Sequence, residues 1–306
     1  MYRNLTYFLL VLIIFFISGC STKPGMFILA TINPLKPYSI KMSDDYHANY
    51  YVLNRGVNNK FGSILFFIGG SERASKNYYL KSYFDNISKS TTVYALQKRH
   101  IGHRETGLSE PSNSYHQYNH YVHPVKDQKE CIQSILSKIN HSNKKIIILG
   151  VSEGGNIASQ LASEIPQITH LVTIGSGGML GIEEFRTWGK KQNINFDKVY
   201  EQVKKDPDSI EMKILGQTHR YWSSILPVNP MSSLKKLDIP ILAIIGEQDE
   251  MIPVESVHFL RSEFKRLGKE NLTVKIVPDS NHALKDSSGK DNRGEIMQFA
   301  SEWWQD

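Results

Sequence analysis

The sequence has little cysteine: two residues in 306, Cys20 and Cys131. A disulfide-stapled scaffold is thereby excluded, because such folds need several bridges. The chain is long enough to bury a core without them. It has no run of five or more basic residues, and its net charge of +6 is spread along the length. Nor does it interleave basic and aromatic residues as nucleic-acid recognition motifs do. The basic excess therefore reads as an ordinary soluble surface, with no nucleic-acid partner. Internal repeats and long low-complexity tracts are also missing, which excludes solenoids and extended disordered arms.

What is present begins at the N-terminus, "MYRNLTYFLLVLIIFFISGC". Arg3 precedes an apolar run over residues 7–17. That run is short for a membrane span, which needs about 20 apolar residues, and fits the hydrophobic region of a secretory signal. The run ends in "ISGC", which resembles the lipobox of bacterial lipoproteins. The resemblance implies that residues 1–19 are a signal peptide, that cleavage precedes Cys20, and that Cys20 is acylated. Residues 20–26 then form a lipidated tether and the protein sits in the cell envelope, with the membrane as a partner through its anchor. Ser21, rather than Asp, implies an outer membrane facing the periplasm if the cell has one. The single cation before the apolar run departs from that class, and a plain anchor helix with an incidental Cys20 is the alternative. Cys131 is left without a partner. It lies in "DQKECIQSILSKI", where helical spacing predicts a buried small hydrophobe.

The remainder alternates two patterns. Apolar runs at 63–70, 91–98, 144–150, 169–175, 239–246 and 272–278 are mostly continuous, as expected of strands covered on both faces. Helical spacing occupies 74–88, 124–140, 153–164, 254–268 and 292–304. Such alternation predicts an α/β fold with a doubly wound, mostly parallel sheet over residues 27–306. Residues 50–56 are expected to add an edge strand. Between the fourth and fifth runs lie about 60 residues where one crossover helix would suffice. They carry Phe185, Trp188, Phe196, Tyr200, Tyr221 and Trp222, and predict a helical cap over about 180–235, inserted between two late strands.

Residues 144–155, "KKIIILGVSEGG", carry the chemistry. "GVSEG" has the form G-x-S-x-G, which alone is weak. A strand pattern leads in and a helical pattern leads out, which is the setting of a nucleophile elbow. Small neighbours let strand and helix pass closely and expose the Ser152 hydroxyl at a helix N-terminus. A serine hydroxyl needs a base, and the base an orienting partner. Asp249 follows the strand ending at Gly246, and His282 follows the strand at 272–278. Glu247 is the nearest rival acid.

These segments together resemble the α/β-hydrolase superfamily over roughly residues 60–305. The resemblance rests on the elbow, on Gly246, Asp249 and Pro253 in G-x-x-D-x-x-x-P, and on Asn281 with His282. It implies Ser152 as nucleophile, His282 as general base and then acid, and Asp249 as the orienting carboxylate. The oxyanion hole is expected from the Glu153 amide and a second donor in "GGSERAS", Gly70 with Ser71 as the alternative. Ile68 stands where many members carry His, a departure that leaves the geometry of the hole in question. The implied activity is a serine hydrolase of an ester, thioester or amide, passing through an acyl-enzyme. It would take a small-molecule or peptide acyl substrate and need no metal or organic cofactor. An acyltransferase using the same triad and a lapsed binding scaffold are the alternatives.

One further cluster stands out. His100, His103, His116, His120 and His123 crowd residues 100–123. His116 and His120, four apart, could share a helical turn facing a metal, but no cysteine accompanies them. The segment reads as a polar loop, with lining the active-site pocket as its functional alternative.

Overall fold

The computed structural model describes residues 30–54 and 62–305. The signal peptide, Cys20 and the tether expected at 20–26 lie outside the described residues. Continuous β-branched runs become strands because both of their faces find cover. β1 (Tyr38–Lys41), β2 (His47–Asn54), β3 (Ser63–Ile68), β4 (Thr91–Leu96), β5 (Ile146–Val151) and β6 (His170–Ile174) are followed by a short hairpin, β7 (Lys213–Ile214) and β8 (Gln217–Thr218). β9 (Ile241–Gly246) and β10 (Leu272–Val277) complete the set. Among the described residues, eight of them form one sheet in the order β1-β2-β4-β3-β5-β6-β9-β10. From β4 onward in that order neighbours are parallel, whereas β2 is antiparallel to both β1 and β4.

The segment at 50–56 was expected to be an edge strand. Its described part belongs to β2, which is interior, and β1 is the edge. In "YSIK" only Ile40 turns inward, so the true edge carries too little apolar signal to be read from sequence.

Side chains of β3 alternate between two cores. Ile64, Phe66 and Ile68 join one, Leu65 and Phe67 the other. The first core packs under α3 (Val122–Leu136), α4 (Glu153–Glu164) and α9 (Glu255–Arg266); the second under α1 (Leu80–Tyr83) and α10 (Arg293–Trp303). Each fully covered Ile or Leu contributes about 1.5–3 kcal/mol, which is why the central strands are apolar on both faces. Cys131 lies in the first core, 3% exposed. Burial pushes its thiol up to about 12, so it packs as an inert hydrophobe. The helix expected over 74–88 is broken. A 3-10 turn at Lys76–Tyr78 stops at Tyr79, whose φ of −128° interrupts the run, and only Leu80–Tyr83 is α-helical.

The excursion between β6 and β9 holds α5 (Gly181–Lys191), α6 (Phe196–Lys205), the β7–β8 hairpin, α7 (His219–Ile225) and α8 (Met231–Leu234); α2 (Asn113–Tyr118) lies earlier, after β4. The excursion has its own apolar cluster, in which Phe196, Val203, Trp222 and Leu226 are buried. It is fastened to the sheet's carboxyl edge where Trp188 Nε1 donates to Glu250 O at 2.7 Å and Lys191 pairs with Glu255 at 3.2 Å. The doubly wound, mostly parallel sheet and its helical cap are thus both present.

Candidate active site

β5 delivers Val151 to the sheet edge and α4 begins at Glu153, leaving Ser152 alone in the turn. Its backbone is at φ 55°, ψ −127°, a region costly for a residue with a Cβ. Two bonds hold it there: Ser152 N–H donates to Ile174 O, and Ser152 O accepts from Gly155 N–H, both at 2.8 Å. The flanking glycines are demanded by contact. A Cβ on Gly150 would stand 2.1 Å from Gly154 O, and one on Gly154 2.3 Å from Ile68 O. Strand, turn and helix can interlock here only without side chains.

Asp249 and His282 come from the loops after β9 and β10. The two loops are laced together by Glu247 N–H to Val277 O (2.9 Å) and Gln248 N–H to Ser280 O (2.9 Å). The Asp249 side chain is fully buried. Its Oδ1 accepts from the Met251 and Ile252 amides at 2.9 and 2.8 Å. His282 Nδ1 lies 2.8 Å from Asp249 Oδ2 and 2.9 Å from Oδ1. With the buried carboxylate accepting, Nδ1 is the protonated nitrogen and Nε2 is left as a base. Asn281 shapes the His282 turn by accepting the Ala283 and Lys285 amides, each at 3.0 Å. The rival acid Glu247 instead accepts the Asp279 amide at 3.1 Å.

Ser152 and His282 converge on one peptide. Ile174 O holds the serine amide, and a Cβ on the next residue, Gly175, would lie 3.0 Å from His282 Cε1. Among the described residues the Ser152 hydroxyl makes no hydrogen bond. The imidazole is thus hydrogen-bonded to Asp249 but, among the described residues, not to Ser152.

The "GGSERAS" loop passes beside the serine: a Cβ on Gly70 would lie 3.0 Å from Ser152 Cβ. Among the described residues the amides of Gly70, Ser71 and Glu153 donate to no acceptor, leaving free donors around the hydroxyl. Ser71 and Glu153 line the cavity that Ser152 lines, while Gly70 lines a second one with His282. Ile68, at the position where His was expected, is a core residue, 1% exposed.

The Ser152 cavity measures about 330 Å3 and the His282 cavity about 280 Å3. The first is walled by Phe185, Trp188, Tyr221 and Trp222 from the cap. Two carboxyls also reach it. Glu153 pairs with Lys98 at 3.2 Å; burial opposes the Lys98 ammonium, but Glu153, Tyr115 and Glu72 together outweigh it and raise its pKa. Glu184, on α5, was not singled out from sequence. Burial pushes it up to about 7. Its only sequence signal is position: Leu180, Glu184 and Trp188 recur at four-residue spacing, placing an acid on an apolar face.

The histidine-rich loop resolves into separate pairs. His116 lies in α2, which ends at Tyr118, so His120 is not on its helical turn. His116 contacts Glu110 (3.3 Å), His103 contacts Tyr51 (2.9 Å), and His100 packs between Tyr46 and Tyr118. Among the described residues no three His, Cys, Asp or Glu side chains cluster as metal ligands would. None of the five histidines lines either cavity.

Residues 106–306 match the prolyl oligopeptidase family, a span that includes Ser152, Asp249, His282 and the cap. A curated protein, esterase EstD of Thermotoga maritima, is 26% identical over 100 residues, covering 33% of this chain and 24% of the esterase. Among solved structures, Est1E of Butyrivibrio proteoclasticus with ferulic acid bound is similar with a TM-score of 0.61 at 12% identity, covering 88% of this chain and 98% of that one. The Pyrococcus horikoshii acylaminoacyl peptidase gives 0.59 at 13% identity, covering 91% and 42%. At these identities the structural likeness establishes the α/β-hydrolase fold. The chain spans about a quarter of the curated esterase and about two-fifths of the peptidase.

Proposed function

Since this chain belongs to the prolyl oligopeptidase family, we propose that it is a serine hydrolase that cleaves an ester, thioester or amide through an acyl-enzyme. Ser152 Oγ attacks the carbonyl while His282 Nε2 takes its proton. His282 then gives that proton to the leaving group, and a water activated by the same nitrogen releases the acyl group. Asp249 keeps the imidazole in the competent tautomer and stabilises the imidazolium. The Glu153 amide and that of Gly70, or of Ser71 in its place, face the developing oxyanion. The observation that carries this reading is the pairing of a strained, positive-φ serine at a strand–helix turn with a buried Asp249 bonded to His282 on the adjacent loop. The relatives bring two substrate classes, since one is called an esterase and another an acylaminoacyl peptidase.

A fluorophosphonate probe tests the assignment: covalent labelling at Ser152, abolished in Ser152→Ala, is the expected result. Ser152→Ala lowers turnover about 10⁴–10⁶-fold with the fold intact. Retained activity in that variant, or an unlabelled wild type, refutes it. Product analysis with alcohols present separates hydrolysis from acyl transfer.

The proposal extends to location. Cleavage before Cys20 and its acylation would tether the enzyme in the cell envelope, facing the periplasm from the outer membrane where one exists. Radiolabelled palmitate should enter the wild-type protein and not Cys20→Ala, and label retained in that variant rejects the anchor.

A further inference from the structure

The wall of the Ser152 cavity has a composition that acyl transfer does not require. Among the described residues it includes no lysine, arginine or histidine, and four aromatic side chains. The two indole N–H groups are spent on the protein's own carbonyls, Trp188 on Glu250 O at 2.7 Å and Trp222 on Ile214 O at 2.8 Å. The tryptophans therefore offer ring rather than donor. Phe185 and Trp222 meet edge to face, with centroids 5.0 Å apart at 85°. Against these rings stands Glu184, 7% exposed, with no cation in ion-pair contact among the described residues. Glu153, the other carboxyl, is already matched by Lys98. An uncompensated acid in a wall of aromatic side chains attracts a cation and repels an anion.

The two cavities also divide the substrate. An imidazole that protonates the leaving group must face it, and His282 lines the other cavity. The leaving group belongs there, and the acyl part in the cavity of Ser152 and Glu184.

We propose that the Ser152 cavity is built for an acyl group bearing an ammonium, held by Glu184 among Phe185, Trp188 and Trp222. The inference rests on the hydrolase reading above. Burial raises the Glu184 carboxyl to about 7; the Ser256 hydroxyl opposes that rise, Asp249 adds to it and His282 opposes it. A bound ammonium favours the carboxylate and supplies the counter-charge that the wall lacks.

Two p-nitrophenyl esters of equal shape test this, 4-(trimethylammonio)butyrate and its neutral isostere 5,5-dimethylhexanoate. The ammonium ester is expected to have the higher kcat/KM by about tenfold or more, and Glu184→Gln to reduce that ratio by most of its value. A ratio of one or below, or a ratio unchanged in Glu184→Gln, overturns the proposal. The corresponding amides, titrated calorimetrically into Ser152→Ala, read the cavity without chemistry. Tighter binding of the ammonium amide, lost when Glu184→Gln is added, sustains the inference even if neither ester is hydrolysed, in which case only the hydrolase reading falls. Equal binding, or none measurable, sinks the inference itself.

Discussion

His282 Nδ1 sits 2.8 Å from Asp249 Oδ2, and the two residues cannot drift apart independently, because their loops share the Gln248–Ser280 bond. Asp249 Oδ1 is meanwhile occupied by two backbone amides. Asp249→Asn can keep an acceptor toward those amides but disturbs the imidazole tautomer. It should lower kcat by about 10³–10⁴-fold with little change in melting temperature. Asp249→Ala should lose the same activity and also destabilise by about 1–3 kcal/mol, since the Met251 and Ile252 amides are left without a partner. Glu247→Gln should retain activity. Steady-state kinetics beside urea melts separate these outcomes, and an inactive Glu247→Gln with an active Asp249→Asn would reverse the assignment of the acid.

The close approach at the elbow gives a second prediction. A methyl group on Gly154 would press on two backbone carbonyls, Ile68 O at 2.3 Å and Gly69 O at 2.4 Å, and backbone atoms cannot rotate aside as a side chain would. Gly154→Ala should cost at least about 1–3 kcal/mol and displace the Gly69–Gly70 turn relative to Ser152. The denaturation midpoint and kcat should fall together; full activity at wild-type stability would mean that the turn yields to a methyl group.

Most of the layered fold was legible because parallel strands buried on both faces write themselves as unbroken apolar runs. "KKIIILG" and "IPILAIIG" are such runs, and both are interior strands. The elbow, the acid loop and the histidine loop were legible for a related reason: each closely follows the end of a strand. Three features were not. β1 has one inward residue, so its edge position left no periodic trace. The break at Tyr79 depends on how Lys76 and Tyr79 reach Glu72, a tertiary preference that overrides local spacing. Glu184 stands next to Glu183 in the sequence, and only the fold of the cap decides that Glu183 is exposed and Glu184 buried.

Glu184 makes the stability of this protein depend on pH in a direction opposite to that of most acids. Its carboxyl moves from an ordinary 4.5 to about 7 in the folded state. Between those values the folded chain holds a proton that the unfolded chain has released, so stability falls as pH rises through that window, by about 3 kcal/mol in all. Glu184→Gln carries no such proton. The difference between variant and wild type should therefore shift in favour of the variant from pH 4.5 to 7 and stay level above. Asp249, His282 and Ser256, which face Glu184, are unchanged in both proteins. Urea midpoints across pH 4.5–8 give the difference directly, and a pH-independent offset would show that Glu184 titrates normally.

Behind the Gly69–Gly70 turn lies a lysine that is 1% exposed. Lys76 Nζ contacts Glu72 Oε1 at 3.0 Å and Tyr79 OH at 3.2 Å, and Tyr79 OH donates to the same Glu72 oxygen at 2.6 Å. Burial works against the Glu72 carboxylate, but Lys76 and then Lys98 outweigh it and hold its pKa below the usual range. A Cβ on Gly69 would stand 2.0 Å from Glu72 Oε1, so the ion pair buttresses the turn expected to supply an oxyanion donor. Lys76→Met should destabilise by about 3–5 kcal/mol, because it strands a largely desolvated carboxylate. Glu72→Gln should be costly for the converse reason, leaving the ammonium without its counter-charge. Combining the two removes both charges, and the double variant should be less destabilised than the sum of the singles by at least about 1 kcal/mol. Additivity within about 0.5 kcal/mol would mean that the pair contributes nothing as a pair, and that the turn holds without it.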